Sequence, residues 1–125
     1  MSKILLVEDD EANRDLLSRR LERKGYLVIT AQDGEQGYSL AHSENPDLIL
    51  MDIGLPAMDG WQVTQLLKAS NATHYIPIII LTAGALISDQ AKASQLGCSG
   101  YETKPVEFAR LSQKIEKLLP ENRPA

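Results

Sequence analysis

The sequence predicts an α/β domain, a parallel sheet of five strands with five helices packed against its two faces. Three observations carry that prediction. Short apolar runs alternate along the chain with longer segments whose apolar residues recur at helical spacing. Most of the runs are apolar at successive positions, which suits strands buried on both faces, and such strands belong to parallel sheets sandwiched between helices. No repeat, low-complexity tract or linker interrupts the alternation. One domain over residues 1–119 therefore accounts for it, with 120–125 as a frayed C-terminal tail.

Ile4 to Val7 is the first strand. The acids Glu8-Asp9-Asp10-Glu11 follow it, and Ala12, Leu16, Leu17 and Leu21 mark a helix that Lys24-Gly25 stops. Leu27 to Ala31, with β-branched Val28, Ile29 and Thr30, is the second strand. Asp33 stands as the cap of the second helix, with Gln36 placed for the reciprocal pairing that satisfies free backbone donors at a helix start. That helix carries Leu40 and Ala41 and ends before Pro46, since the residue before a proline avoids helical geometry. Leu48 to Met51 is the third strand, and it meets an acid, Asp52, and then a proline-containing turn. Asp59 and Gln62 repeat the cap pattern ahead of Val63, Leu66 and Leu67. The polar stretch Ser70 to His74 leads to Pro77 and the most apolar strand, Ile78 to Leu81, which ends at Thr82. Ala85 to Leu96 is a fourth helix without a firm cap. Gly97-Cys98-Ser99-Gly100-Tyr101 holds a short fifth strand and Lys104-Pro105 makes a turn. Phe108, Leu111, Ile115 and Leu118 then lie along one stripe of the last helix.

Composition narrows the function classes. With 125 residues, 43% hydrophobic and 24% charged, the chain can bury one real core and is neither disordered nor fibrous in character. A net charge of -4 argues against a general binder of nucleic acid or anionic membrane. The single cysteine, Cys98, excludes an internal disulfide framework, and with only His42 and His74 beside it a Cys/His zinc site lacks ligands. Both points suit a reducing cytoplasm. Met1-Ser2-Lys3 leads into a short apolar run and then acids, too brief for a secretory signal, and no run approaches the ~20 apolar residues of a membrane helix.

In a parallel sheet of this kind ligands bind beyond the carboxyl ends of the strands. That edge collects Glu8 and Asp9 after the first strand, Asp52 at the end of the third, Thr82 at the end of the fourth and Lys104 just beyond the fifth. Singly, each has an ordinary use. A strand-end aspartate bonds its own turn, acids at a helix start favour the helix dipole, as Asp10 and Glu11 do, threonine commonly ends a strand, and lysine faces solvent. Together they have a chemistry. Three carboxylates in one crevice repel each other unless a cation joins them, and Mg2+ takes one or two carboxylates together with waters and phosphate oxygens. Glu8, Asp9 and Asp52 are thus candidate magnesium ligands. The Thr82 hydroxyl and the Lys104 ammonium are candidates to hold two further phosphoryl oxygens, and a carboxylate nucleophile forms an acyl phosphate.

Four stretches resemble the receiver domain of two-component response regulators, of the chemotaxis-regulator-like kind. They are Ile-Leu-Leu-Val-Glu-Asp-Asp at the start, Asp-Leu-Ile-Leu-Met-Asp-Ile-Gly-Leu-Pro-Ala-Met-Asp-Gly in the middle, Leu-Thr-Ala-Gly after the fourth strand, and Gly-Tyr-Glu-Thr-Lys-Pro near the end. The resemblance covers essentially the whole chain, Ser2 to about Leu119. It implies a doubly wound, flavodoxin-like sheet of order 2-1-3-4-5, an order that periodicity alone does not supply. It implies that Asp52 is the phosphoacceptor, supplied by the phosphohistidine of a histidine kinase or histidine phosphotransfer protein. By the same resemblance Mg2+ is held by Glu8, Asp9, Asp52 and the backbone carbonyl of Gly54. Thr82 and Tyr101 are then the switch residues, Lys104 contacts the phosphoryl group, and Lys104-Pro105 is cis.

The implied protein is a cytoplasmic signalling switch rather than an enzyme, a monomer or weak dimer with no nucleic-acid or membrane contact. Its signal passes through the face of the fourth helix, fifth strand and fifth helix to a downstream protein target. The first helix, around Asn13, Arg14 and Leu17, would dock the donor. No output domain follows the last helix, so a stand-alone receiver or phosphorelay intermediate is expected, with a receiver cut from a larger hybrid kinase or regulator as the alternative. Gly54 and Gly84, each two residues beyond Asp52 and Thr82, are bare where many receivers carry side chains beside the path of attacking water. They bear on the lifetime of the phosphoryl group. An aspartyl-phosphate phosphatase needs a second acid where Gly54 stands, and a flavin binder needs a phosphate-cradling loop where Glu8 to Glu11 would repel the phosphate. Tyr101 by itself reads as a packing residue, Trp61 as a cover over the third helix, and Cys98 as a small buried hydrophobe. His42 and His74 read as surface residues, which leaves the phosphohistidine to another protein.

Overall fold

Strand and helix alternate without exception in the computed structural model, which describes residues 1–83 and 87–119. The elements are β1 (Lys3–Val7), α1 (Glu11–Arg23), β2 (Leu27–Ala31), α2 (Gly34–Glu44), β3 (Leu48–Asp52), α3 (Gly60–Ala69), β4 (Ile78–Thr82), α4 (Ile87–Gln95), β5 (Gly100–Thr103) and α5 (Phe108–Leu118). The sheet has the order β2-β1-β3-β4-β5, with every neighbouring pair parallel. The expected doubly wound fold and its strand order are therefore both present. Gly84 and the expected start of the fourth helix at Ala85 fall outside the described residues, as does the tail from residue 120.

The continuous apolar runs have a simple cause: each strand feeds two cores in alternation. Leu5, Val7, Ile49, Met51, Ile78 and Ile80 face one way and pack with Ala41 of α2, Val63 and Leu67 of α3 and Ala93 of α4. Ile4, Leu6, Leu48, Leu50, Ile79 and Leu81 face the other way, toward Leu21 of α1 and Leu111 and Ile115 of α5. Every residue of β3 and β4 is buried. Burial on both faces fails at β2, where Leu27 and Thr30 are exposed. β2 is an edge strand, with a strand neighbour on one side only.

Capping fixes where the helices begin, and through them the loops that carry the site. Asp10 caps α1 by accepting from the Ala12 N–H, as a helix-start acid should. Asp59 and Gln62 form the full reciprocal capping box of α3. At α2 only half of the expected pairing forms: Asp33 accepts from the Gln36 N–H, but the Gln36 side chain accepts from the Gln32 N–H instead. α5 is capped by Glu107, which accepts from the backbone of Ala109 and Arg110. No helix among the described residues is long and apolar enough to cross a membrane.

Candidate functional site

Because the strands run parallel, the residues that end them meet at one edge. Asp52 is the last residue of β3 and pairs in register with Leu81, next to Thr82 at the end of β4. Glu8 continues the ladder just past β1, its N–H donating to the Ala31 carbonyl at 3.0 Å. Lys104 does the same past β5, donating to the Thr82 carbonyl at 2.7 Å, and the Lys104-Pro105 peptide is cis. The Lys104 ammonium then lies 2.9 and 3.1 Å from the two oxygens of Glu8 and 3.1 Å from Oδ2 of Asp52. Oδ1 of Asp52 accepts the Gly54 N–H at 3.0 Å. Glu8, Asp52 and Thr82 are buried, whereas Asp9 faces solvent, and one oxygen from each of the three acids falls within 4.8 Å of the others.

Electrostatics in this cluster follow from one ammonium serving two buried acids. Burial pushes Glu8 upward and the neighbouring Asp52 pushes it further, so that it titrates at about 7 despite Lys104. Burial would raise Asp52 as well, but the hydrogen bond with Glu8, the Gly54 N–H and Lys104 outweigh it and hold Asp52 below its ordinary value. Burial disfavours the charged form of Lys104, yet Glu8 and Asp52 outweigh that and raise it. The crowding thus favours the protonated form of Glu8 and the ionised form of Asp52.

This arrangement has a measurable consequence for the metal-free protein. Glu8 moves from 4.5 to about 7 on folding, so its stabilising contribution is complete below the lower value and is lost as pH rises through the upper one. Asp52, shifted downward from 3.8, contributes stability that is complete above that value and lost only as pH falls below it, so its contribution is constant across this window. In chelator, the unfolding free energy from urea titration is expected to fall by roughly 2–3 kcal/mol between about pH 5 and about pH 8. Glu8→Gln should flatten that slope, and an unchanged slope in Glu8→Gln would assign the proton to another group.

The remaining residues singled out from the sequence are placed as follows. Tyr101 is half-buried against the core cluster that contains Val63 and Ala93, with the Lys114 ammonium 5.6 Å from its ring centroid. Gly54 is exposed, and a Cβ added there would meet only Asp52 Oδ1, at 3.6 Å, so the position has room for a side chain. Trp61 is half-buried at the start of α3, with the Lys92 ammonium of α4 5.1 Å from its ring. Cys98 is partly buried and burial pushes its thiol up to about 11, which disfavours the nucleophilic thiolate. His42 and His74 are both exposed.

Two features escaped the sequence. Arg14 donates to the Glu8 carbonyl at 2.9 Å and to that of Asp9 at 3.5 Å, bracing the acidic loop. Its place one helical turn beyond those acids was the available signal. Glu102 is buried on β5 and is paired by Arg110 and Lys114 of α5. The spacing of the two cations on one helix face was visible, but their target was not.

Residues 4–116 match the family model of the response regulator receiver domain. The chain is 38% identical over 116 residues to the polar-differentiation response regulator DivK of Brucella anthropi, an alignment covering 93% of this chain and 94% of that protein. The Brucella ovis DivK is similar to the same degree. Among solved structures, the chain is similar to the receiver domain of a sensor histidine kinase from Pseudomonas aeruginosa PAO1, which has a magnesium ion coordinated in its active-site cleft. The TM-score is 0.87 at 35% identity, over 95% of this chain and 98% of that one. It is also similar to the chemotaxis protein CheY4 of Vibrio cholerae, with a TM-score of 0.88 at 26% identity over 94% and 98% of the two chains. With that sheet order, an acidic cluster at the strand ends and a family match spanning nearly every element, the chain belongs to the response regulator receiver domains of two-component signalling.

Proposed function

We propose that Asp52 accepts a phosphoryl group from the phosphohistidine of a histidine kinase or histidine phosphotransfer protein, and that the acyl phosphate switches a partner-binding face. The observation that carries this is the treatment of the Asp52 carboxylate, buried at a strand tip with one oxygen held by the Gly54 N–H and the other paired with Lys104. A carboxylate so oriented is a positioned nucleophile. An Asp52 oxygen bonds to phosphorus as the phosphorus–nitrogen bond of the donor breaks, and the departing imidazole nitrogen keeps the electron pair. Lys104, already 3.1 Å from Oδ2, is placed to follow the charge onto the transferred oxygens.

The donor set fits Mg2+. It offers only oxygen ligands, two buried acids and one exposed, with a single ammonium, that of Lys104, between the two buried ones. Glu8, Asp9, Asp52 and the Gly54 carbonyl would hold the ion, which when bound supplies positive charge to the phosphoryl oxygens. The magnesium in the Pseudomonas aeruginosa receiver domain supports this assignment.

A groove of about 440 Å³ opens beside Glu8 and Lys104, walled by Leu16 and Leu17 of α1 and by Val106 and Phe108 ahead of and within α5. An apolar wall next to the acids suits a protein donor, and both histidines of this chain are exposed surface residues. In this reading Asn13 and Leu17 belong to the docking surface and Arg14 supports the loop behind it. Thr82 and Tyr101 would carry the change to the face formed by α4, β5 and α5, for a downstream protein partner. Gly54 leaves open space beside the acceptor, so side chains introduced there are a means of varying the lifetime of the phosphoryl group.

The test is incubation with acetyl phosphate, with Mg2+ or with EDTA, followed by intact mass, borohydride trapping of the acyl phosphate and peptide mapping. One phosphoryl group per chain, dependent on Mg2+ and trapped at Asp52, is expected. Trapping at Glu8 or Asp9, or no uptake with Mg2+ present, overturns the assignment.

A further inference from the structure

β5 is an edge strand, so a side chain from α5 can reach around it. Along β5 the side chains alternate. Tyr101 packs with the core cluster under α2, α3 and α4, while Glu102, in register with Leu81, is buried toward α5. Lys114 of α5 engages both. Its ammonium pairs with Glu102 Oε2, donates to the Tyr101 carbonyl at 2.7 Å, and sits 5.6 Å from the centroid of the Tyr101 ring. The lysine stem runs past the strand at Gly100, where an added Cβ would meet Lys114 Cδ at the ordinary distance of 3.8 Å. Glu102 anchors the arrangement from below. Its other oxygen is held by Arg110 Nε at 2.9 Å, one turn earlier on α5.

We propose that Lys114 is a positioning residue for Tyr101, holding the ring in its resting place and so setting the balance between the resting and switched states. The proposal rests on the reading that Tyr101 responds to phosphorylation of Asp52. The hydrogen bond to the Tyr101 carbonyl and the pairing with Glu102 fix the ammonium beside the strand. From there the cation–π contact favours the ring position in which it is made, and any state that moves the ring must give that contact up. Arg110 shares the anchor but does not touch Tyr101 in this way, so it serves as the control. Loss of Lys114 still leaves Glu102 paired with Arg110.

The chain holds four tyrosines, few enough for fluorotyrosine labelling with Tyr101 assigned by Tyr101→Phe. Wild type is expected to shift its Tyr101 resonance on adding beryllofluoride with Mg2+. Lys114→Met and Lys114→Gln, without beryllofluoride, are expected to move that resonance toward the activated position, by roughly a two- to fivefold change in the ratio of states. Lys114→Arg should restore the wild-type position and Arg110→Met should leave it unchanged. Two charge-removing variants ensure that one survives if the other unfolds, which far-ultraviolet circular dichroism reports. A wild-type resonance that ignores beryllofluoride removes the switch reading and the proposal with it. A responsive wild type, with folded Lys114 variants at the resting position or with Arg110→Met shifted equally, overturns the proposal alone.

Discussion

Asp52→Asn is expected to take up no phosphoryl group from acetyl phosphate and Mg2+ under conditions that fully modify the wild type, as read by intact mass. The amide is the smallest change available. Its carbonyl oxygen can still accept the Gly54 N–H, so the turn behind β3 keeps its hydrogen bond. The anionic oxygen 3.1 Å from Lys104 is lost, and with it the nucleophile. Lys104 retains both oxygens of Glu8, and the cluster carries one acid fewer, so the fold should survive. Lys104→Met makes the contrast. It keeps the nucleophile and removes one stabilising charge, an effect of roughly 10²–10³ in rate by comparison with deletion of a single oxyanion contact. A complete loss in the first variant and a slow but finite uptake in the second would separate acceptor from supporting cation. Uptake that persists in Asp52→Asn would place the acceptor elsewhere.

The part of this site that the sequence made legible is the part that backbone direction determines. Once the runs from Ile4, Leu48 and Ile78 are read as parallel strands, Glu8, Asp52 and Thr82 must share an edge, and the structure puts them there. Periodicity could not order the strands, because a strand apolar at every position looks the same whichever neighbour it has. The resemblance supplied that order. Contacts that depend on the order were correspondingly hidden. Lys114 reaches Tyr101 only because β5 is an edge strand, and β2 is partly exposed for the same reason. Half of the expected pairing at Asp33 failed because the Gln36 amide had the Gln32 N–H within reach, a competition of local geometry that residue type does not reveal. The opposite shifts of Glu8 and Asp52 depend on burial and on distances to Lys104, neither of which spacing encodes.

Gly60→Ala is expected to cost about 3 kcal/mol or more of stability, the upper end for a single overpacking change, and to lower the melting temperature by roughly 10 °C. Gly60 opens α3 directly after its cap, where alanine would ordinarily favour the helix. Here a Cβ would stand 2.3 Å from the Asp52 carbonyl oxygen, 2.6 Å from Ile53 Cα and 2.9 Å from the Asp52 carbonyl carbon. All three are main-chain atoms, so no rotamer change relieves the clash. Either α3 backs away from the sheet, opening the core around Val63 and Leu67, or the tip of β3 moves and carries Asp52 with it. The second route also disturbs the Gly60 N–H to Ile53 carbonyl bond of 3.2 Å, and a shift of about 1 Å at a reacting group can cost 10²-fold in rate. Gly54→Ala is the matched control, since its Cβ meets only Asp52 Oδ1 at the ordinary distance of 3.6 Å and should leave the melting temperature near wild type. Thermal melts of the pair, with phosphoryl uptake measured on each, check the expectation: equal melting temperatures would mean that the approach of α3 to β3 does not hold Asp52 in place.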